Sequence, residues 1–314
     1  MTKYTPAHVA GVSQLGEKMH NPQPLFKYTG SKKKMFAKFE PFFSGAEKEG
    51  FETFVDLFGG TGVVSTWMHE NYPNKRIILN EYNPDIYDIY HEIKFNYANF
   101  LKGVLALEAQ YMSLPSVDER KKFYLKQRDF YHDSYKNLRV DLRTQILFFM
   151  MCTNFNGIWQ PKSSTGIYYT PFGNGNEKLG IFNRKALRDF KSMVDAAEIY
   201  NLSYEFVPVP DSKCFIFADP PYLKSYTRYD KRAATFGISE TTSLSQMLIN
   251  NHLKGNIVAL CNKSHPLLSL LFENRWGFST ERFNVKYTAA SKDGAGAKAT
   301  EVLIHNIDPI FIDL

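Results

Sequence analysis

The amino-acid sequence predicts an α/β fold, a doubly wound sheet with an inserted helical and hairpin subdomain. Four short apolar runs point to it: TFVDLF (53–58), RIILN (76–80), CFIFAD (214–219) and NIVALCN (256–262). Continuous apolar runs bounded by polar or glycine signals are what strands buried on both faces look like. The stretch between the first two runs, VVSTWMHENY, is helix-compatible and follows a glycine-rich turn. Strand, turn, helix and strand in that order make a βαβ unit. A final run, EVLIHN (301–306), is expected to add a strand near the C-terminus.

The elements divide the chain into three parts. Residues 1–24 are polar, carry Pro22 and Pro24, and read as an N-terminal arm. Residues 25–95 and 196–314 hold the strand-like runs and form the sheet domain. Residues 96–195 interrupt it. Their helix-compatible segments include 119–143, with eight Lys/Arg against four Asp/Glu interleaved with Phe123, Tyr124, Phe130, Tyr131 and Tyr135. From 153 to 183 the chain turns rich in Asn, Gly, Ser and aromatics, as a hairpin would.

Composition excludes several classes. The chain has 314 residues, 44% of them hydrophobic, and a formal charge of +6, which permits a polyanionic partner without requiring one. Cys152, Cys214 and Cys261 are odd in number and far apart, so neither a metal site nor a disulfide framework is expected. The first residues lack the apolar run of a signal peptide, and no stretch approaches the roughly 18 apolar residues of a membrane span. A reduced cytoplasmic compartment is expected.

In FVDLFGGTGVV, Phe58, Gly59, Gly60, Thr61 and Gly62 follow directly on the first strand. Glycine there lets the backbone turn tightly and approach a ligand. Glu81, with Tyr82 inside NEYNPD, ends the second strand 19 residues after Gly62, where a carboxylate can accept two ribose hydroxyls. The phosphate-binding pattern GxxxxGK(S/T) is absent and GxGxxG is incomplete. A tight turn with no ligand is the alternative. Upstream, around FKYTGSKKKMF, five lysines and no acid fall between positions 27 and 38, a solvated basic surface unless Tyr28 and Lys32 face the ligand of that turn.

CFIFADPPYL is the sharpest signal. A strand ends in Asp219, Pro220 and Pro221 stiffen the turn, and Tyr222 follows. Ligands of open α/β sheets sit beyond the carboxyl ends of strands, so Asp219 is expected in that crevice. An aryl amine is a poor nucleophile because its lone pair is delocalised into the ring. If a carboxylate and the Pro220 carbonyl each accept one N–H, the nitrogen can pyramidalise and aim its lone pair at a sulfonium methyl. Tyr222 would stack on a base flipped from the duplex. A rigid strand-end turn is the bland alternative. Methylation at a ring carbon of cytosine needs a cysteine nucleophile, usually after a proline, and none of the three follows one.

KYTGSKKKM, FVDLFGGTG, NEYNPD, FNGIWQ, YYTPFG, DPPYL and SKDGAGAKATEVLI occur in this order. With them the chain resembles the Dam-type DNA adenine methyltransferases, especially the bacteriophage members, within the α group of amino-methyltransferases. The resemblance covers most of residues 25–306. It implies a Rossmann-like methyltransferase sheet, S-adenosylmethionine as cofactor (S-adenosylhomocysteine as product) and double-stranded DNA as partner, in a monomer or weak dimer of bacterial or phage origin. It also implies a cofactor site of Tyr28, Lys32, Phe58, Gly59, Gly60, Thr61, Gly62, Glu81, Tyr82 and Asp219, with Tyr204 flanking the cofactor adenine. Insert residues Asn156, Trp159, Gln160, Lys162, Arg128 and Arg139, with Ser291 and Lys298 late in the chain, are the expected DNA contacts. Members that read GATC carry an arginine where Trp159 stands, so that specificity is not carried over. Trp159 could wedge at a base step or pack on its own subdomain, and Gln160 could pair with adenine. The expected reaction is at the adenine 6-amino group; the cytosine 4-amino group and a catalytically silent nucleic-acid-binding homologue are the alternatives.

Overall fold

The computed structural model describes residues 19–222, 236–273, 275–286 and 298–312. Seven strands form one sheet: β1 (Thr53–Asp56), β2 (Arg76–Asn80), β3 (Glu198–Tyr200), β4 (Cys214–Ala218), β5 (Ile257–Lys263), β6 (Ser279–Lys286) and β7 (Lys298–His305). Their order across the sheet is β3-β2-β1-β4-β5-β7-β6. The first five pair in parallel, and β7 runs antiparallel to both neighbours. All four apolar runs and the late EVLIHN run lie on strands. The two strands without such a run, β3 and β6, are the sheet's edges. An edge strand is half wetted and needs no continuous apolar face.

Alternate residues serve two separate cores. Phe54, Ile77, Leu79, Phe215 and Phe217 join Phe39 and Phe43 of α1 (Phe36–Glu49), Trp67 of α2 (Val63–Asn71) and Ile89 and Ile93 of α3 (Pro84–Phe95). Val55, Ile78, Ile216, Val258 and Leu260 form the other layer with Leu244 and Leu248 of α8 (Ile238–Leu253) and Leu268 and Phe272 of α9 (Pro266–Phe272). The period of two along a strand divides its side chains between the faces, and each face is roofed by helices. The chain is a mixed α/β sheet with flanking helices.

The chain leaves β1 toward β2 on one side and β4 toward β5 on the other, so direction reverses between β1 and β4. That reversal opens a crevice at their carboxyl ends. Leu57 N–H still donates to Phe217 O at 3.0 Å, which closes the two strands up to that edge.

Between α3 and β3 lie α4 (Tyr97–Met112), α5 (Val117–Ser134), α6 (Val140–Thr153) and α7 (Arg184–Ala196). Every residue from Thr144 to Thr153 is buried, because α3, α4 and α5 all pack on α6. Ser116 caps α5 by accepting Glu119 N–H, and its hydroxyl returns to Glu119 Oε2 at 3.0 Å. α7 packs against α2 and α3, so the last helix of the 96–195 span lies on the sheet layer. After α6 the chain forms the expected hairpin, with bridges Asn154–Phe172 and Pro161–Tyr168. Of the arm, residues 19–24 are described: His20 N–H donates to Asn71 Oδ1 at 2.8 Å, Asn71 Nδ2 donates to His20 O at 3.1 Å, and both bonds hold this segment on α2.

Trp159 is 3% exposed, edge-on to Tyr168 with ring centroids 4.9 Å apart. Of the two readings left open for it, this geometry is that of a ring packed on its own subdomain. Trp159→Ala is expected to cost about 3–5 kcal/mol by emptying this space. Urea unfolding followed by circular dichroism measures it, and a loss below about 1 kcal/mol would show that the ring is not a core element.

Candidate active site

The turn after β1 is held from three sides. Gly59 N–H donates to Asn80 O at 2.8 Å, Tyr90 OH donates to Gly60 O at 2.6 Å, and Asn80 Nδ2 donates to Leu57 O at 3.0 Å. Gly62 sits at φ +67° as the residue before α2, and a Cβ there would meet the Phe190 ring at 2.3 Å. No other residue type fits that position. Thr61 is buried, and Phe58 is half-buried at the crevice edge.

Glu81 lies against this turn. Its Oε2 accepts Gly60 N–H at 2.7 Å and its Oε1 accepts Asn83 N–H at 2.8 Å. Two main-chain donors therefore orient the carboxylate. Tyr82, beside it, is 47% exposed. Phe58, Tyr204 and Phe236 form an aromatic cluster on the same edge, with centroids 5.7 Å, 5.8 Å and 6.1 Å apart pairwise. Phe236 was not legible as a site residue, since nothing near it in sequence marks it.

Asp56 is the second residue that the sequence concealed. It ends β1 inside the apolar run and is 1% exposed, accepting Ser65 Oγ–H at 2.8 Å and Phe58 N–H at 3.3 Å. Burial pushes its carboxyl up to about 7, and the two hydrogen bonds offset part of that. A buried acid at the carboxyl end of a central strand was the available signal.

Asp219 follows β4, next to β1 in the sheet. Lys32 reaches it from the short 3-10 helix Lys32–Met35, which turns Lys32 and Met35 inward. Lys32 Nζ lies 2.7 Å from Asp219 Oδ2 and donates to Tyr222 OH at 2.8 Å and Gly30 O at 3.2 Å. The ammonium also stands 5.0 Å from the Tyr222 ring centroid. Burial opposes its charge, yet Asp219, Cys261 and Glu301 together raise its pKa, so Lys32 stays protonated. Burial lifts Asp219 to about 6 against the pull of Lys32, with Glu301 adding to the rise. Asp219 Oδ1 is buried and has no hydrogen-bond partner. Pro220 is buried and Pro221 half-buried. Tyr28 borders the glycine turn: a Cβ on Gly60 would lie 3.9 Å from its ring. The crevice thus brings together Tyr28, Lys32, Phe58, the glycines, Glu81, Tyr204, Asp219 and Tyr222.

Of the residues expected to meet DNA, Arg128 and Lys162 share the Tyr169 ring, and Tyr169 N–H donates to Gln160 O at 2.8 Å. Asn156 and Lys162 are exposed and Gln160 half-buried on the hairpin. Arg128 stacks on Tyr169 at 3.8 Å and pairs with Asp129, while Arg139 pairs with Asp141. Arg120 is spent on Gly175 O and Glu177 O, and Arg143 on Asp88. Lys121, Lys122, Lys126 and Lys136 are exposed. Ser291 lies outside the described residues, as does the side chain of Lys298 at the start of β7. Among the described residues no cluster of His, Cys, Asp and Glu could hold a metal ion, and no helix is long and apolar enough to cross a membrane.

Asp56→Asn is expected to weaken binding of a cationic ligand of this crevice by about tenfold, since it removes a buried counter-charge. Calorimetry with S-adenosylhomocysteine checks this, and unchanged affinity would remove Asp56 from the binding site.

The chain is 26% identical over 218 residues to the type II methyltransferase M.MjaIII of Methanocaldococcus jannaschii, covering 66% of this chain and 74% of that protein. It is 23% identical over 234 residues to a DNA adenine methylase of Haemophilus influenzae, covering 72% of this chain and 73% of that one. A family model described as D12 class N6 adenine-specific DNA methyltransferase matches residues 28–287, and the chain belongs to that family.

Proposed function

We propose that this protein transfers a methyl group from S-adenosylmethionine to the 6-amino group of adenine in double-stranded DNA, by flipping the base and transferring directly. The observation that carries the reading is Asp219, whose Oδ2 is held by Lys32 while Oδ1 is buried without a partner at the mouth of the β1–β4 crevice. A buried acceptor left unsatisfied is costly, and an amine N–H would satisfy it.

The residues around the crevice fit the cofactor. The glycine turn admits close approach, Glu81 is oriented for ribose hydroxyls, Phe58 and Tyr204 offer faces for an adenine, and Asp56 offers a counter-charge for an ammonium. When bound, S-adenosylmethionine supplies an electrophilic sulfonium methyl. Asp219 Oδ1 and the Pro220 carbonyl each accept a hydrogen bond from one amine N–H and draw the nitrogen toward a pyramidal geometry, and the methylated nitrogen then loses one proton. The Asp219 charge stabilises the cation that develops there. Tyr222 stacks on the extruded base.

In this reading the sheet is the doubly wound, Rossmann-like catalytic domain (25–95 and 196–314), and residues 96–195 are the target-recognition insert. Asn156, Gln160 and Lys162 present polar groups on the hairpin. Arg128, Arg139 and the exposed lysines of α5 contact phosphates, which position the duplex without reading it.

Incubation with labelled cofactor and unmodified DNA, followed by nucleoside mass spectrometry, is expected to give 6-methyladenine. A product of 4-methylcytosine alone would overturn the assignment, and no product would favour a silent binding protein. Asp219→Ala is expected to abolish transfer while leaving cofactor binding measurable, and turnover within about tenfold of wild type would reject the role.

The pH dependence follows from the same carboxyl. Its folded-state pKa is raised to about 6, and only the ionised form accepts an amine proton. Single-turnover rates should therefore be flat well above pH 6 and fall about tenfold for each unit below it. A rate independent of pH between 5 and 8 would contradict this.

A further inference from the structure

The segment Lys27–Lys32 touches three places at once. Gly30 sits at φ +95° and Ser31 N–H points back to Tyr28 O at 3.4 Å, so the chain reverses here. On one side Tyr28 faces the glycine turn. On another, Thr29 N–H donates to Gly157 O at 2.9 Å, and Thr29 Oγ1–H donates to the same oxygen at 3.2 Å. At the end, Lys32 is spent on Asp219 and Tyr222.

The contact with the insert is main chain on main chain. Gly157 has φ +67°, and a Cβ on it would lie 2.7 Å from Tyr28 N and 2.9 Å from Lys27 C. Its loop is braced from within: Gly157 N–H donates to Asn154 Oδ1 at 3.0 Å, and Asn154 Nδ2 donates to Tyr168 OH at 2.8 Å. Tyr168 is the ring on which Trp159 packs. A second tie runs from Lys27 Nζ to Glu177 Oε1 at 3.5 Å. The insert hairpin and the strap are thus seated on each other directly.

We propose that residues 27–32 are a positioning strap through which the insert sets the catalytic carboxylate: seated on Gly157, the strap delivers Lys32 to Asp219 Oδ2 and leaves Oδ1 facing the target amine. The proposal rests on the reading of Asp219 as amine acceptor. Lys32 is a positioning residue, acting through Asp219. Its three ammonium donors have three acceptors, Asp219 Oδ2, Tyr222 OH and Gly30 O. The ammonium is therefore fixed in direction, and the carboxylate it holds is fixed with it. Without it Asp219 is free to turn Oδ1 away from the amine.

The strap also governs charge. Asp219 meets Lys32 from the strap, Asp56 from β1, Cys261 from β5, Glu301 from β7 and Tyr222 from its own turn. Lys32 is the one cation in that set. Displacing it leaves Asp219 among acids and raises the pH at which it ionises.

The test uses the full-length enzyme with cofactor and duplex DNA. Gly157→Ala drives a Cβ into the strap, and Thr29→Val removes one of its hydrogen bonds without adding bulk. In Gly157→Ala the single-turnover rate at saturating DNA and cofactor is expected to fall by about a hundredfold, the scale of a small misplacement of a reacting group. Thr29→Val should lose less. In both, the acid limb of the rate should move to higher pH, in the direction shown by Lys32→Gln. DNA affinity measured with S-adenosylhomocysteine should stay within about threefold of wild type.

A wild-type saturated rate with an unmoved acid limb in both variants would overturn the proposal, as would a defect confined to DNA affinity. If Gly157→Ala does not fold, Thr29→Val with Lys32→Gln decides between the same outcomes. Failure of the underlying reading looks different: Asp219→Asn would then keep its rate, and both claims would fall.

Discussion

Two carboxylates are carried into a nearly dry crevice by the pairing of β1 with β4, and the rest of the site is arranged around that fact. Asp56 ends one strand at 1% exposure, and Asp219 follows the other with its side chain 19% exposed. Burial lifts both pKa values into the neutral region, to about 7 and about 6. Lys32 is the cation that pairs with Asp219. A lone lysine would resist such burial, but the Asp219 carboxylate, with Glu301 nearby, keeps it charged. The pairing is mutual: the strands bury the acids, the acids retain the lysine, and the lysine keeps Asp219 oriented. A buried pair of this kind adds little net stability, because desolvation offsets the attraction. What it supplies is geometry, with one carboxylate oxygen occupied and the other open.

That geometry is not built by the sheet alone. Lys32 comes from a turn before α1, outside the strands, and the turn is seated against the loop after α6. The sheet and the 96–195 span touch where α3 packs on α6, and the six residues 27–32 form a second link that runs to Asp219. A direct main-chain contact at Gly157 transmits displacement stiffly, since no side chain lies between to absorb it. Electrostatic coupling to a carboxylate is steep in a poorly screened site. A shift of Lys32 by a fraction of its contact distance therefore changes the acceptor more than the same shift would at the surface.

Much of the sheet was legible because two-sided burial imposes a plain rule. β1, β2, β4 and β5 are apolar throughout, and a run of apolar residues is visible without any partner. β3 (Glu198–Tyr200) and β6 (Ser279–Lys286) were not, since edge strands mix polar residues and depend on a neighbour for their shape. The acids show the same limit. Asp219 was visible because two prolines and an aromatic follow it, whereas Asp56 is a single acid within an apolar run. Lys32 was named as a candidate beside the cofactor, but its pairing with Asp219 was not legible. Its separation from the other lysines needs the 3-10 turn, which buries Lys32 and leaves Lys27 and Lys34 exposed.

Trp159 shows where composition stops being informative. A large aromatic on a polar hairpin is compatible with a base step and with a miniature core, and only packing distinguishes them. With Trp159 against Tyr168, and Tyr168 bonded to Asn154, the ring braces the loop that presents Gly157. Trp159 thus serves the internal order of the hairpin. Gln160, beside it on the hairpin, is held at its backbone: its N–H donates to Thr170 Oγ1 at 3.0 Å. The same small core that stiffens the hairpin also presents Gly157 to residues 27–32, so the order of one depends on the order of the other.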